Sequence, residues 1–180
     1  MFDAQPNLVG DLVELRPLRA DDYDALAEAA SDPLLWEQHP DDRHLPEVFR
    51  AFFAAHLASG GALLALDPRT GETIGTSRFD GYDAERGEVE IGWTFLVRSR
   101  WGGAVNADLK ALMLDHAFRF VHTVVFLVAR GNVRSQRALE KLGACRIGER
   151  PSRRGTPYLA YALTRDAAPA TPRPRSRPRR

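Results

Sequence analysis

Hydrophobic patterning predicts a mixed α/β (α+β) domain, and three stretches carry that reading. Along Glu88–Val97, Val89, Ile91, Trp93 and Phe95 alternate with Glu88, Glu90, Gly92 and Thr94, the two-residue period of a strand. A Gly102-Gly103-Ala104 turn follows at once, and Leu109, Leu112, Met113, His116 and Phe120 then recur at helical spacing. A second apolar strand, Val124–Ala129, runs into a short helix that ends at Gly143.

The other elements follow in chain order. Leu12–Leu15 alternates like a first strand, which Pro17 ends. Asp21 or Asp22 can cap a helix running to Ala30, with Tyr23, Leu26, Ala27 and Ala30 on its apolar face; Ser31-Asp32-Pro33 stops it. Pro46–Ser59 is the next helix, with Phe49, Phe52, Phe53 and His56 on one broad face, and Gly60-Gly61 ends it. Leu63–Leu66 and Thr73–Phe79 flank an Asp-Pro-Arg-Thr-Gly turn and form a hairpin. Ala144–Glu149 and Tyr158–Leu163 are two final strands joined by Arg150–Pro157.

Composition bounds the function. A chain of 180 residues, 44% of them apolar, is one domain with enough material for a core, read here as residues 1–165. From Asp166 onwards the composition is Ala, Pro, Thr, Ser and Arg, which cannot bury apolar surface, so residues 166–180 read as a disordered tail. The last eight residues hold five of the 25 basic residues, leaving 20 against 24 acids in the rest of the chain. That mildly acidic balance argues against a nucleic-acid-binding domain, the Arg-rich tail excepted. One cysteine, Cys145, excludes an internal disulfide and fits a reducing, cytoplasmic setting. No membrane span or secretory signal is expected, and the five His show no metal-ligand spacing, so no metal is expected.

Chemistry concentrates at two turns. The first presents the backbone N–H groups around Gly102, Gly103, Ala104 and Val105 at the positive end of a helix dipole, where small residues let phosphate oxygens approach. The second is Asn132-Val-Arg-Ser135, opening the helix that closes with Glu140-Lys-Leu-Gly143. With Glu90-Ile-Gly-Trp93 and Arg100-Trp-Gly-Gly-Ala104, these motifs resemble the GNAT superfamily of acetyl-CoA-dependent N-acetyltransferases. The likeness is greatest to the branch that acetylates N-termini of ribosomal proteins, and it spans roughly residues 12–164.

The resemblance implies a mostly antiparallel, splayed sheet flanked by helices, with acetyl-CoA entering between its two central strands. It places Arg100, Trp101, Gly102, Gly103, Ala104, Val105 and Asn106 around the pyrophosphate. The departing edge of Phe95–Val97 and Asn132 fall on the pantetheine arm, with Ser135 beside it and Arg137 and Lys141 towards the nucleotide phosphates. Trp36, Glu37 and His39, in the Leu34–Pro40 loop, would line the pocket for the acceptor amine together with Glu88. Read without the resemblance, the same loop joins two helices and its Trp fills the core.

Transfer to an ammonium needs a base, since a protein α-amino group titrates near 8 and a lysine above 10. Glu90 and Glu88 share one face of their strand, and Glu90 matches the motif. Many relatives protonate the leaving thiolate with a Tyr four residues beyond the Ala or Ser of the second motif. That position here is Leu139, which leaves Ser135 as the nearby hydroxyl, equally readable as a helix N-cap. Relatives also carry Gln or Arg where this chain has Ser99, so Arg98 or Arg100 would supply that charge. These departures keep open a second class of function, an acetyl-CoA-binding regulator without turnover. The acceptor is a peptide N-terminus or a small amine. A homodimer is compatible with the implied fold, though no sequence feature marks an interface.

Overall fold

In the computed structural model, which describes residues 1–168, eight strands form one sheet in the order β1-β2-β3-β4-β5-β6-β8-β7. The strands are β1 (Leu8–Val9), β2 (Glu14–Pro17), β3 (Ala62–Leu66), β4 (Thr73–Asp83), β5 (Glu88–Leu96), β6 (Thr123–Val128), β7 (Cys145–Pro151) and β8 (Pro157–Thr164). Four helices complete the fold: α1 (Tyr23–Ala30), α2 (Pro46–Ala58), α3 (Ala104–Ala117) and α4 (Val133–Leu142). Every neighbouring pair of strands is antiparallel except β5 and β6. Among the described residues no helix is long and apolar enough to cross a membrane.

The sheet divides the interior into two cores. On one face α3 and α4 bury Leu109, Met113 and Leu139 against Leu15, Leu63, Phe79, Ile91 and Phe126. On the other, α1 and α2 bury Leu26, Phe49 and Phe53 with Trp36, Leu64 and Phe95. Each fully buried large apolar side chain contributes about 1.5–3 kcal/mol, so both layers are needed to hold the sheet.

Three local expectations change. Asp22 does not cap α1 forwards: the helix is preceded by a 3₁₀ turn, and the Asp22 carboxylate reaches back to the Arg19 N–H (2.8 Å) and the Arg16 guanidinium (2.6 and 2.8 Å). The alternation of β5 is interrupted. Thr76 pairs with Phe95 but Arg78 pairs with Gly92, so β5 carries one extra residue, and Trp93 takes a positive φ of 51°. That bulge inverts the pleat: Trp93 and Phe95 join the face of Glu90, while Thr94 and Leu96 turn towards α3. Finally, the chain continues past the expected boundary as a 3₁₀ turn, Arg165–Ala167, and Ala168 packs on the core. The remainder of the tail expectation lies outside the described residues.

Candidate active site

The site begins where the sheet opens. β5 and β6 pair only over Glu88–Glu90 with Thr123–Val125 and then diverge, so Ile91–Leu96 keep β4 on one side and have no strand on the other. The wedge has an extended, unpaired β5 edge as one wall, able to hydrogen-bond an amide-rich chain as an added strand would. Its far end is the turn into α3. Gly102 and Gly103 adopt φ of 107° and 105°, a region other residues enter only under strain, and a Cβ on either would meet nothing within 4 Å. The first N–H to find a helical acceptor is that of Ala107, bonded to the Gly103 carbonyl (2.8 Å). The N–H groups of Gly102–Asn106 have no acceptor among the described residues. An open cradle of free donors at a helix N-terminus, beside a free strand edge, fits the pyrophosphate and pantetheine of acetyl-CoA.

At the other end of the wedge, a cavity of about 260 Å³ is lined by Gly81, Glu88, Val89, Glu90, Val125, Leu127, Arg150 and Pro151. Its two carboxylates differ sharply. Glu88 is clasped by both nitrogens of the Arg150 fork (2.7 and 3.2 Å), with Arg86 at 3.8 Å. Glu90 accepts no hydrogen bond from any described residue, and burial followed by the nearby Asp80 charge raises its carboxyl to about 7. Asp80 itself is held down by Arg153 and Arg78, which outweigh its burial. The Arg78 guanidinium carbon lies over the Trp93 ring, 3.7 Å from its centroid, so the bulge that turns Trp93 to this face also seats the cation that pairs with Asp80.

The loop expected to meet the acceptor divides into two parts. Trp36 is only 3% exposed: its indole N–H donates to the Ala30 carbonyl (2.9 Å) and its ring meets Phe95 edge-on at 5.2 Å. Glu37, Gln38 and His39 line a second, more open cavity of about 270 Å³ with Ala129 and Gly131. Burial, chiefly, lowers His39 to about 4, and its Nδ1 accepts the Asp41 N–H (3.0 Å), so the ring is neutral at pH 7.

The structure brings Glu88 and Glu90 together, and separately the cradle residues with the start of α4. It identifies the cap of α4 as Asn132, whose Oδ1 accepts the Ser135 N–H (3.1 Å), so Ser135 is not the cap but stands one turn in. Phe95 is committed to the core through its side chain, and the Val97 N–H to the Ile74 carbonyl (2.9 Å). The two residues expected to supply the charge absent at Ser99 are paired: Arg98 with Asp32 (2.6 Å) and Arg100 with Asp67 (2.5 Å). Arg137 and Lys141 are exposed along α4. Trp101 donates its indole N–H to the Leu96 carbonyl (2.9 Å) and carries the Arg134 guanidinium over its ring at 4.0 Å. Arg134 also donates to the Leu35 carbonyl (3.1 Å), and its backbone N–H donates to Gln38 Oε1 (3.0 Å). A single residue thus joins the cradle, α4 and the Leu34–Pro40 loop.

Two features escaped sequence reading. Arg150 is the partner of Glu88 from 62 residues away, which no local pattern reveals. Lys110 is buried in α3 and donates to Thr94 Oγ1 (2.8 Å); its spacing with Met113 and Ala117, on the inward stripe of the helix, was the available signal.

Comparison with known proteins places the fold. No curated protein matches the sequence. Among solved structures, one from T. thermophilus, ascribed to an acetyltransferase, is 28% identical with a TM-score of 0.75, covering 93% of each chain. The acetyltransferase from Agrobacterium tumefaciens str. C58 is 25% identical (TM-score 0.68), with 91% of this chain and 96% of that one covered. Mycobacterium smegmatis RimJ in complex with CoA-disulfide is 22% identical (TM-score 0.69, 92% and 91% covered) and shares the fold. The family model for the acetyltransferase (GNAT) domain matches residues 13–144, which take in β2 to β6, both turns and all four helices, and the chain belongs to that family of N-acetyltransferases.

Proposed function

We propose that this acetyltransferase moves the acetyl group of acetyl-CoA directly onto a primary amine, a peptide N-terminus or a small amine, within a ternary complex, and that Glu90 is the base. One observation carries the reading: an unpartnered carboxylate, raised to about 7, sits in a cavity at the inner end of the wedge whose outer end is the anion cradle. When bound, acetyl-CoA supplies an activated thioester. The chain's own residues do the rest. The free N–H groups of Gly102–Asn106 hold the phosphates, and the unpaired edge of β5 orients the arm. Glu90 takes a proton from the acceptor ammonium, directly or through water. A base brought to about 7 is about half ionised at neutral pH, and more so just above it, and is better matched than an ordinary carboxylate to an amine near 8. Glu88, committed to Arg150, shapes the cavity wall, and His39, neutral with Nδ1 occupied, is a poor base. Asn132 and Ser135 flank the wedge from α4, and Glu37 and His39 form the acceptor side, with Trp36 buried behind them in the core rather than lining it.

The test is thiol release from acetyl-CoA, with a pool of peptides bearing free N-termini compared against a pool of small amines. Turnover on peptides alone supports an N-terminal protein acetyltransferase, and turnover on small amines alone makes a metabolite the acceptor. Binding of acetyl-CoA with no turnover on either pool would refute the acceptor classes named here.

A further inference from the structure

Lys110 is a buried cation without an anion. Its residue is 7% exposed, and among the described residues no carboxylate comes within 4 Å of its ammonium. Thr94 Oγ1 accepts one of its three N–H bonds at 2.8 Å, Thr94 is itself bonded to Ser77 Oγ at 2.7 Å, and the Phe126 ring lies 5.5 Å away. Two donors are left without an acceptor among the described residues. An ammonium so placed costs the fold several kcal/mol unless an anion reaches it.

Its position says where that anion would come from. Thr94 is on β5 just past the Trp93 bulge, and Phe126 is on β6 just past its last pairing with β5. Lys110 therefore closes the floor of the wedge where the two strands part. Ala104, the first residue of α3, is six residues earlier, about 9 Å along the helix axis. Glu90 is four residues back along β5 from Thr94. Measured along α3 and β5 the ammonium thus lies between the cradle and the base, on the α3 side of the sheet while Glu90 faces the other side. An acyl-bearing arm that passes through the gap between β5 and β6 would run from one to the other. The chain also lacks the phenol expected to serve the leaving group: Leu139 holds that place and is buried in the core.

We propose that Lys110 is the acid of the transfer step, its ammonium meeting the thiolate sulfur of coenzyme A at the parting of β5 and β6. This rests on the acetyl-transfer reading above. As the C–S bond breaks, its electron pair stays on sulfur; a Lys110 N–H bond breaks and an S–H bond forms. The acceptor nitrogen, entering as an ammonium, loses two protons. Glu90 takes one and passes it to water, and the other restores the Lys110 ammonium. Burial, with no charged neighbour contributing, lowers Lys110 to about 7 in the empty site, so its proton is held less tightly than an ordinary lysine's, and a thiolate formed beside it supplies the counter-charge the ammonium lacks.

The test titrates the bound product. Calorimetry first establishes coenzyme A binding to the wild type and to Lys110→Met, which keeps chain length and removes the charge. The thiolate absorbance of bound coenzyme A is then followed against pH. In the wild type its thiol should titrate at least tenfold more readily than free coenzyme A, and in Lys110→Met no more readily than the free thiol. Transfer by Lys110→Met should fall about a hundredfold or more in kcat, with KM for acetyl-CoA changed less than threefold. Coenzyme A bound by both proteins with the same thiol titration would overturn the Lys110 assignment alone, and the wild-type titration decides it even if the variant folds poorly. Absence of coenzyme A binding to the wild type would overturn the acetyl-transfer reading as well.

Discussion

Replacing Glu90 with Gln should make the protein more stable and less active. Its carboxyl is brought from an ordinary 4.5 to about 7 by burial and, second, by Asp80. Ionising it in the fold rather than in the unfolded chain therefore costs up to about 3 kcal/mol. The sign follows from proton counting: between pH 4.5 and 7 the folded state holds more protons than the unfolded one, so stability falls as pH rises through that window. Glu90→Gln escapes this loss. Its advantage should be nil below pH 4.5 and complete above 7, where about 3 kcal/mol corresponds to roughly 6–10 °C in Tm for a domain of this size. Acetyl transfer, followed by thiol release, should drop by about a hundred- to ten-thousandfold, and the wild-type rate should climb with pH up to about 7. Melting curves at about pH 4 and about pH 8 settle the first point. An equal gain at both values, or a loss at the higher one, would refute the ionisation account, and unchanged transfer would remove Glu90 from the chemistry.

Further outcomes follow from individual contacts. Asn132→Ala deletes the side-chain cap of α4 and should cost about 1 kcal/mol, seen as faster amide exchange in the first turn of that helix. Trp36→Ala should cost about 3–5 kcal/mol in chemical denaturation, because it leaves a cavity against Phe95 and an unmet Ala30 carbonyl. Gly103→Ala forces a Cβ into φ of 105°, a strain of about 1–2 kcal/mol that re-aims the cradle N–H groups; calorimetry should record coenzyme A affinity falling about tenfold or more.

Much of the architecture is legible because it is written in local periodicity. Each predicted strand and helix is present, with α2 and β3 close to their expected bounds, while β4 runs four residues past its expected end to Asp83. What escapes is non-local or aperiodic. The two-residue β1 is too short to show a period, and Phe2 reveals its packing on Phe79, Tyr82 and His116 only in three dimensions. The bulge at Trp93 is invisible to an alternation count, since Val89, Ile91, Trp93 and Phe95 fit an unbroken pleat. Within the site, motif positions locate the cradle and the two glutamates. They favour Glu90, which falls in the motif, but do not give the physical reason, because what separates it from Glu88 lies in Arg150 and in burial, both products of the folded sheet. Ser135 and Asn132 are both good capping residues, and only the start of the helix decides between them.

The Arg134 contacts bear on the order in which two substrates arrive. Its guanidinium rests on Trp101 beside the cradle and bonds the Leu35 carbonyl, while its backbone N–H holds Gln38. On the proposed reading these contacts join the donor end, at Trp101, to the acceptor loop, and a shift of Trp101 on donor binding would bear on that loop through Arg134. By thermodynamic linkage the effect is reciprocal: whatever factor donor binding applies to acceptor affinity, acceptor binding applies to donor affinity. If the two half-sites are coupled in this way, the steady-state kinetics should depart from random, non-interacting addition, with acetyl-CoA and the amine each altering the apparent dissociation constant of the other.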